Sequence, residues 1–359
     1  MAVAIGAAVV AFAIFFVLAG VALLGGGDDA PTSAATSTTT PTPTSSTAST
    51  PSGTLAPTPV ETPAPSAAQS AIDIGRTYAV GTHTLTFVDS TRATSPNGSF
   101  AGAPNRTLPT QVWYPAEGAA GDPPKADATP DRAHGPYPMV LFAHGYDVTP
   151  DFYASLLERW AAAGYVVVAP TFPILSGTPG GASHVDYEKT FADGSFVITQ
   201  MLGLGGNDPV AGLVDPNRVA VAGHSDGEVI SFALGFLQCC RDTRVKSVIA
   251  MAGDLSNANN PHVRDSGTPI LHIMETNDEY DPYPHSIEWD RENLTAPRWM
   301  VSLNSSHVPP YTQPGDPGFE LVSRITVAYL DGTLKGHPER LDTVGSDVVA
   351  VPDIGSLER

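Results

Sequence analysis

Hydrophobic and polar positions divide the 359-residue chain into stretches of different character. Residues 1–24 run through Ala, Val, Ile, Phe and Leu without one charged side chain. As a helix rising ~1.5 Å per residue, that run is long enough to cross a hydrocarbon core of about 30 Å. A signal peptide has a basic start and a small-residue cleavage site. Here the basic start is missing and the only candidate site, near Ala19, is poor. Residues 1–27 therefore read first as an uncleaved anchor and second as a cleaved signal; no cysteine follows to carry a lipid. Residues 28–71 are mostly Thr, Ser, Pro and Ala, too poor in large apolar side chains to offset the entropy of ordering them. They read as an extended stalk, with everything downstream on the extracytoplasmic side, membrane-anchored or secreted.

From residue 72 the pattern becomes regular. His83–Val88 alternates and Thr107–Tyr114 is β-rich. Met139–Ala143 and Tyr165–Ala169 are continuous apolar runs of the kind found in strands buried on both faces. Arg218–Ala222, Val245–Met251, Ile270–Met274 and Trp299–Leu303 repeat that signature. Between them lie helical stretches at 150–163, 189–203, 226–238, 285–293 and 319–330. Strands alternating with helices predict one domain, about 72–335, built on a mostly parallel sheet with helices on both faces. Residues 336–359 read as a polar tail that covers little. Only one helix fits between the runs ending at Pro170 and starting at Arg218, which leaves no room for a large cap domain; the Gly-rich loop Gly177–Gly181 is a candidate rim.

In such a sheet, reactive groups belong at the carboxyl ends of strands. Gly223-His224-Ser225-Asp226-Gly227 follows one strand and opens a helix. That is the setting of a serine nucleophile on a tight turn, where small flanking residues let neighbouring backbone approach. A nucleophilic Ser needs a base and an orienting carboxylate, here in the chain order Ser, acid, His. Asp278 stands just beyond Ile270–Met274 and His307 just beyond Trp299–Leu303, so Ser225, Asp278 and His307 are the candidate triad. Asp281 competes as the acid, with Glu275 behind it; His285 and His337 sit at helical or tail positions. The backbone N–H groups of Tyr146, in His144-Gly145-Tyr146, and of Asp226 are the candidate oxyanion donors. His144 reads as a structural residue. The Tyr146 ring is placed to line an acyl pocket.

Composition adds exclusions. A net charge of −19 argues against nucleic acid as a partner. The only cysteines, Cys239 and Cys240, are adjacent and read as two packed thiols on a helix end; no metal-type spacing surrounds them. No cofactor or metal is expected, and the expected state is a monomer.

Several motifs in order carry a family resemblance: Leu108–Ala116 (LPTQVWYPA), Gly135–Pro170, Val214–Gly227 (VDPNRVAVAGHSDG) and Cys239–Ala252 (CCRDTRVKSVIAMA). They resemble bacterial platelet-activating-factor acetylhydrolase-like esterases and their cutinase-like polyester hydrolase relatives, serine esterases of the α/β-hydrolase fold related to dienelactone hydrolase. Pro269–Ser286 and Asn304–Pro309 (NSSHVP) are similar to the acid and histidine segments of the polyester hydrolases, placing those roles at Asp278 and His307. The resemblance implies carboxylic ester hydrolysis through an acyl-enzyme. A small-molecule, lipid or polymer-surface ester is the implied substrate, in an exposed cleft. Departures are Asp226, where many relatives carry Met or Leu, Glu228 in place of a second Gly, and the missing C-terminal disulfide. A carboxylate at Asp226, beside the nucleophile, would stabilise an imidazolium at His307 and oppose anionic substrates and the oxyanion. A non-catalytic binding module and a peptidase are the competing readings.

Overall fold

A computed structural model describes residues 72–254, 263, 266–280, 285–295 and 297–358. They belong to the compact unit Pro65–Arg359. The anchor, the stalk and Asp281 lie outside the described residues.

The chain opens with β1 (Ala79–Asp89), β2 (Arg106–Ala116) and the short β3 (Lys125–Ala126). A regular alternation follows: β4 (Tyr137–Ala143), α1 (Ala154–Ala162), β5 (Val166–Pro170), α2 (Lys189–Leu202), β6 (Val214–His224), α3 (Asp226–Phe236) and β7 (Val245–Met251). Then come β8 (Ile270–Glu275), α4 (His285–Asn293), β9 (Arg298–Leu303), α5 (Pro309–Thr312), α6 (Pro317–Leu334), α7 (Arg340–Val349) and β10 (Gly355–Glu358). The ten strands form one sheet in the order β10-β9-β8-β7-β6-β4-β5-β2-β1-β3. Strands β5, β4 and β6 to β9 run parallel, while β2 joins β1 and β5, and β10 joins β9, antiparallel. This is the α/β-hydrolase fold.

The apolar runs follow from burial on both faces. Along β5, Val166 and Val168 pack on the α2–α3 side, while Val167 and Ala169 pack on the α1–α6 side. Chain order reverses across β4: β5 is laid on one side of it and β6 on the other. The loops leaving β4 and β6 therefore diverge, and a crevice opens at their carboxyl ends.

Two expectations are corrected. Residues 336–358 are not a tail that covers little. Val344 and Val348, at helical spacing on α7, are fully buried, and β10 pairs with β9 from Gly355↔Leu303 to Glu358↔Met300. The segment is polar on average, but Val344 and Val348, four residues apart, share the face that packs on the core. Cys239 and Cys240 are bonded to each other (S–S 2.07 Å). Helix α3 stops at Phe236, so the pair lies in a turn rather than on a helix end.

The N-terminal end of the described domain is pinned far from the crevice. Ile72 N–H donates to Lys335 O (2.9 Å) and His337 Nε2–H to Ile72 O (2.7 Å). Lys335 caps α6, an 18-residue helix that starts just after the His307 loop and, at ~1.5 Å per residue, runs about 27 Å away from it.

Candidate active site

Ser225 sits between the last residue of β6 and the first of α3 with φ 57° and ψ −128°, a conformation that costs a non-glycine residue on the order of 1–3 kcal/mol. The flanking glycines explain how the turn closes. A Cβ on Gly223 would lie 1.8 Å from Gly227 O, and one on Gly227 would lie 2.1 Å from Ala143 O. Ser225 N–H donates to Met251 O (2.9 Å) and Glu228 N–H to Ser225 O (2.8 Å), which locks the turn from both sides. Across the crevice, a Cβ on Gly145 would meet Ser225 Cβ at 3.1 Å, so the His144-Gly145-Tyr146 loop lies directly against the serine.

His307 follows β9 and Asp278 follows β8. Asp278 Oδ2 lies 2.7 Å from His307 Nδ1, and both side chains are nearly inaccessible to water (6% and 0% exposed for His307 and Asp278). Asp278 Oδ1 accepts from Tyr280 N–H (2.8 Å), which orients the carboxylate. A proton on Nδ1 shared with the carboxylate leaves Nε2 of His307 as the basic nitrogen.

Two buried side chains that the sequence reading passed over tie these loops together. Burial pushes the His224 imidazole down to about 3, so it is neutral and carries a single N–H. Its Nε2–H donates to His307 O (2.8 Å), and its Nδ1 accepts from the Tyr153 hydroxyl (2.9 Å). That hydroxyl in turn accepts from Gly145 N–H (3.3 Å). The serine, histidine and Gly145 loops thus hang on one chain of hydrogen bonds. His144, pushed down to about 4 by burial, donates from Nδ1 to Gly145 O (2.8 Å) and accepts from Phe172 N–H (3.0 Å), joining the loops after β4 and β5.

The Asp226 side chain departs from expectation. Its carboxylate pairs with His184 Nε2 at 2.6 Å and not with His307. The reason is the loop between β5 and α2, which folds back over α3 and delivers His184 to that carboxylate. Hydrogen bonding to Asp226 raises the His184 pKa. The His184 ring stacks on Tyr146 (centroids 4.8 Å apart, 29°), and the Tyr146 hydroxyl donates to Ala182 O (2.8 Å). The loop holding Gly177–Gly181 is fastened at its base as well, where Asp186 pairs with buried Arg106 (2.6 Å) and Asn97 Nδ2 donates to Gly181 O (2.7 Å).

Behind the triad lie further buried acids. Glu228 accepts from Gly253 N–H (2.7 Å) and lies 3.1 Å from His272 Nε2. Glu275 accepts a hydrogen bond from the Tyr311 hydroxyl, and burial pushes its carboxyl well above the ordinary range. Around the mouth, Tyr146, Val185 and Tyr280 expose large apolar surface, and the Tyr280 ring stands edge-on to His307 (4.9 Å).

Comparison with known proteins gives three findings. A family model described as Chlorophyllase matches residues 116–255, a stretch that holds Gly145 and Ser225 but ends before Asp278. Chlorophyllase-2 and Chlorophyllase-1 of Arabidopsis thaliana are each 32% identical, over 124 and 121 residues, which is 33% of this chain and 36% of each relative. The chain thus spans little more than a third of the length of these curated relatives. The solved structure of a ferulic acid esterase from Streptomyces cinnamoneus superposes with a TM-score of 0.58 at 22% identity, covering 82% of this chain and all of that one (100%).

Proposed function

We propose that this protein is a serine carboxylic ester hydrolase acting through an acyl-enzyme on Ser225. Ser225 Oγ attacks the ester carbonyl carbon while His307 Nε2 takes its proton. Asp278 holds the imidazole and stabilises the imidazolium. The carbonyl oxygen, now an oxyanion, is received by the backbone N–H groups of Tyr146 and Asp226. Collapse expels the alcohol, protonated by His307, and water repeats the sequence to release the acid. The observation that carries this reading is the bond between Asp278 and His307 on the loops after β8 and β9, beside a serine held at φ 57° between β6 and α3. Matches to proteins named chlorophyllase and ferulic acid esterase support it. So does the resemblance of the motifs between Leu108 and Pro309 to acetylhydrolase-like and polyester hydrolases.

Tyr146, Val185 and Tyr280 around the mouth suit an ester with a large apolar acid or alcohol part. The apolar segment 1–27 and the stalk 28–71 support an extracytoplasmic setting, anchored or secreted. A fluorophosphonate probe should label Ser225 stoichiometrically, and Ser225→Ala should lose both label and turnover by several powers of ten at unchanged thermal stability. Hydrolysis by Ser225→Ala within about tenfold of the parent would sink the assignment.

A further inference from the structure

The two proposed oxyanion donors belong to different loops. Tyr146 lies on the loop after β4, and Asp226 begins α3 on the far side of Ser225. Pairing of β4 with β6 ends at Ala143↔Gly223, three residues short of each amide, so the last stretch to both is loop. A third loop does reach both. His184 holds the Asp226 carboxylate through Nε2 (2.6 Å) and lies face to face with the Tyr146 ring (4.8 Å, 29°). Its neighbours close the frame: Tyr146 OH bonds to Ala182 O, and Tyr187 OH donates to the backbone oxygen of Asp226 (2.6 Å).

We propose that His184 is a positioning residue of the oxyanion site. By bridging the side chains of Tyr146 and Asp226 it fixes the distance between their backbone amides, and in its protonated form it offsets the carboxylate standing beside the developing negative charge. The second role follows from the placement of Asp226. A carboxylate next to the nucleophile opposes an oxyanion in a low-dielectric crevice, and a cation 2.6 Å from it cancels most of that field. The groups facing His184 are the Asp226 carboxylate and the rings of Tyr146 and Tyr187, the last at 5.4 Å on its own loop. Among the described residues Asp226 is the one carboxylate facing it, and its bond raises the imidazole pKa, so the protonated pair persists toward neutral pH. The fastenings of the loop at Arg106 and Asn97 keep His184 in place without substrate.

The inference rests on the ester-hydrolase reading, and one set of measurements separates the two. In the full-length protein, His184→Ala should lower kcat for a soluble ester by about ten- to a hundredfold with KM within about threefold, because loss of alignment is felt in the transition state. The inhibition constant of a boronic acid, whose tetrahedral adduct on Ser225 uses the same donors, should rise by the same factor. His184→Gln keeps a flat donor for Asp226 and a surface for Tyr146. It should recover part of the kcat that Ala loses, up to the level the parent keeps once His184 has lost its proton, and show no alkaline decline from this position. The side chain is more than half exposed (57%), so thermal stability should stay at the parental value. An active, fluorophosphonate-labelled parent with an unaffected His184→Ala overturns this proposal alone, as does failure of Gln to rescue. An inactive, unlabelled parent overturns the ester-hydrolase reading and this proposal with it.

Discussion

Replacing Glu275 by Gln isolates the energetic weight of a buried acid. Glu275 ends β8, three residues ahead of Asp278, with its side chain fully buried. Burial is the main cause of its raised pKa, and the nearby Asp278 and Glu228 carboxylates add to it. Its folded-state value therefore lies above its unfolded-state value, which is about 4.3. The folded chain holds this proton more tightly than the unfolded one. The stabilisation is thus fully present below the unfolded value and is lost as pH rises toward the folded one. The theoretical slope for one proton is roughly 1.4 kcal/mol per pH unit within that window. Gln preserves the shape and the carbonyl acceptor for the Tyr311 hydroxyl but cannot ionise. Glu275→Gln should match the parent near pH 4 and exceed it by a margin that grows with pH. At about 2–4 °C per kcal/mol for a domain of this size, the gain is roughly 3–6 °C for each pH unit within the window. Urea melts of both proteins between pH 4 and pH 8 read the difference directly, because every other titrating group is shared. A constant offset at all pH values would refute the reasoning, since it would mean that Glu275 titrates alike in the folded and unfolded chains.

Two further outcomes test the site itself. Gly227→Ala places a Cβ 2.1 Å from Ala143 O and 2.8 Å from His144 O, both backbone, so the turn must shift by about an ångström; kcat should fall on the order of a hundredfold or more, and a variant with parental turnover would show the packing to be slack. Asp278→Asn should cost on the order of 10³ or more in kcat while Asp281→Asn costs far less, and the reverse ranking in steady-state assays would move the acid to Asp281.

Strands were the most legible part of the chain, because burial on both faces leaves no alternation to misread. Val245–Met251 and the apolar residues of β4, β5, β8 and β9 announce themselves as runs. The serine turn was legible because glycine at 223 and 227 answers a steric demand made by backbone atoms alone. Asp278 and His307 were legible as candidates because the loops after consecutive parallel strands emerge on one side. What could not be read is what one loop does to another. His184 lies in a loop with no periodicity, and nothing in its neighbours foretells that the loop folds back to Asp226. Without that partner in view, the sequence leaves the Asp226 carboxylate free to face His307. Tyr153 and His224 likewise carry no local signal, since their bond joins α1's approach to the end of β6. At the C-terminus a low average hydropathy masked the spacing of Val344 and Val348.

The way the two ends of the domain are secured sets a rule for handling it. The last residues are part of the scaffold beneath His307: Asn304 N–H donates to Ile354 O (2.8 Å) and its side chain to Asp353 O (3.3 Å), just where β9 turns toward the histidine. Trimming by a carboxypeptidase, or a bulky tag placed there, pulls on the strand that presents the histidine. Joined ahead of Ile72, a fusion partner or a solid support meets the domain at the opposite pole, the length of α6 from the crevice. Immobilisation through that end leaves the mouth facing the solution.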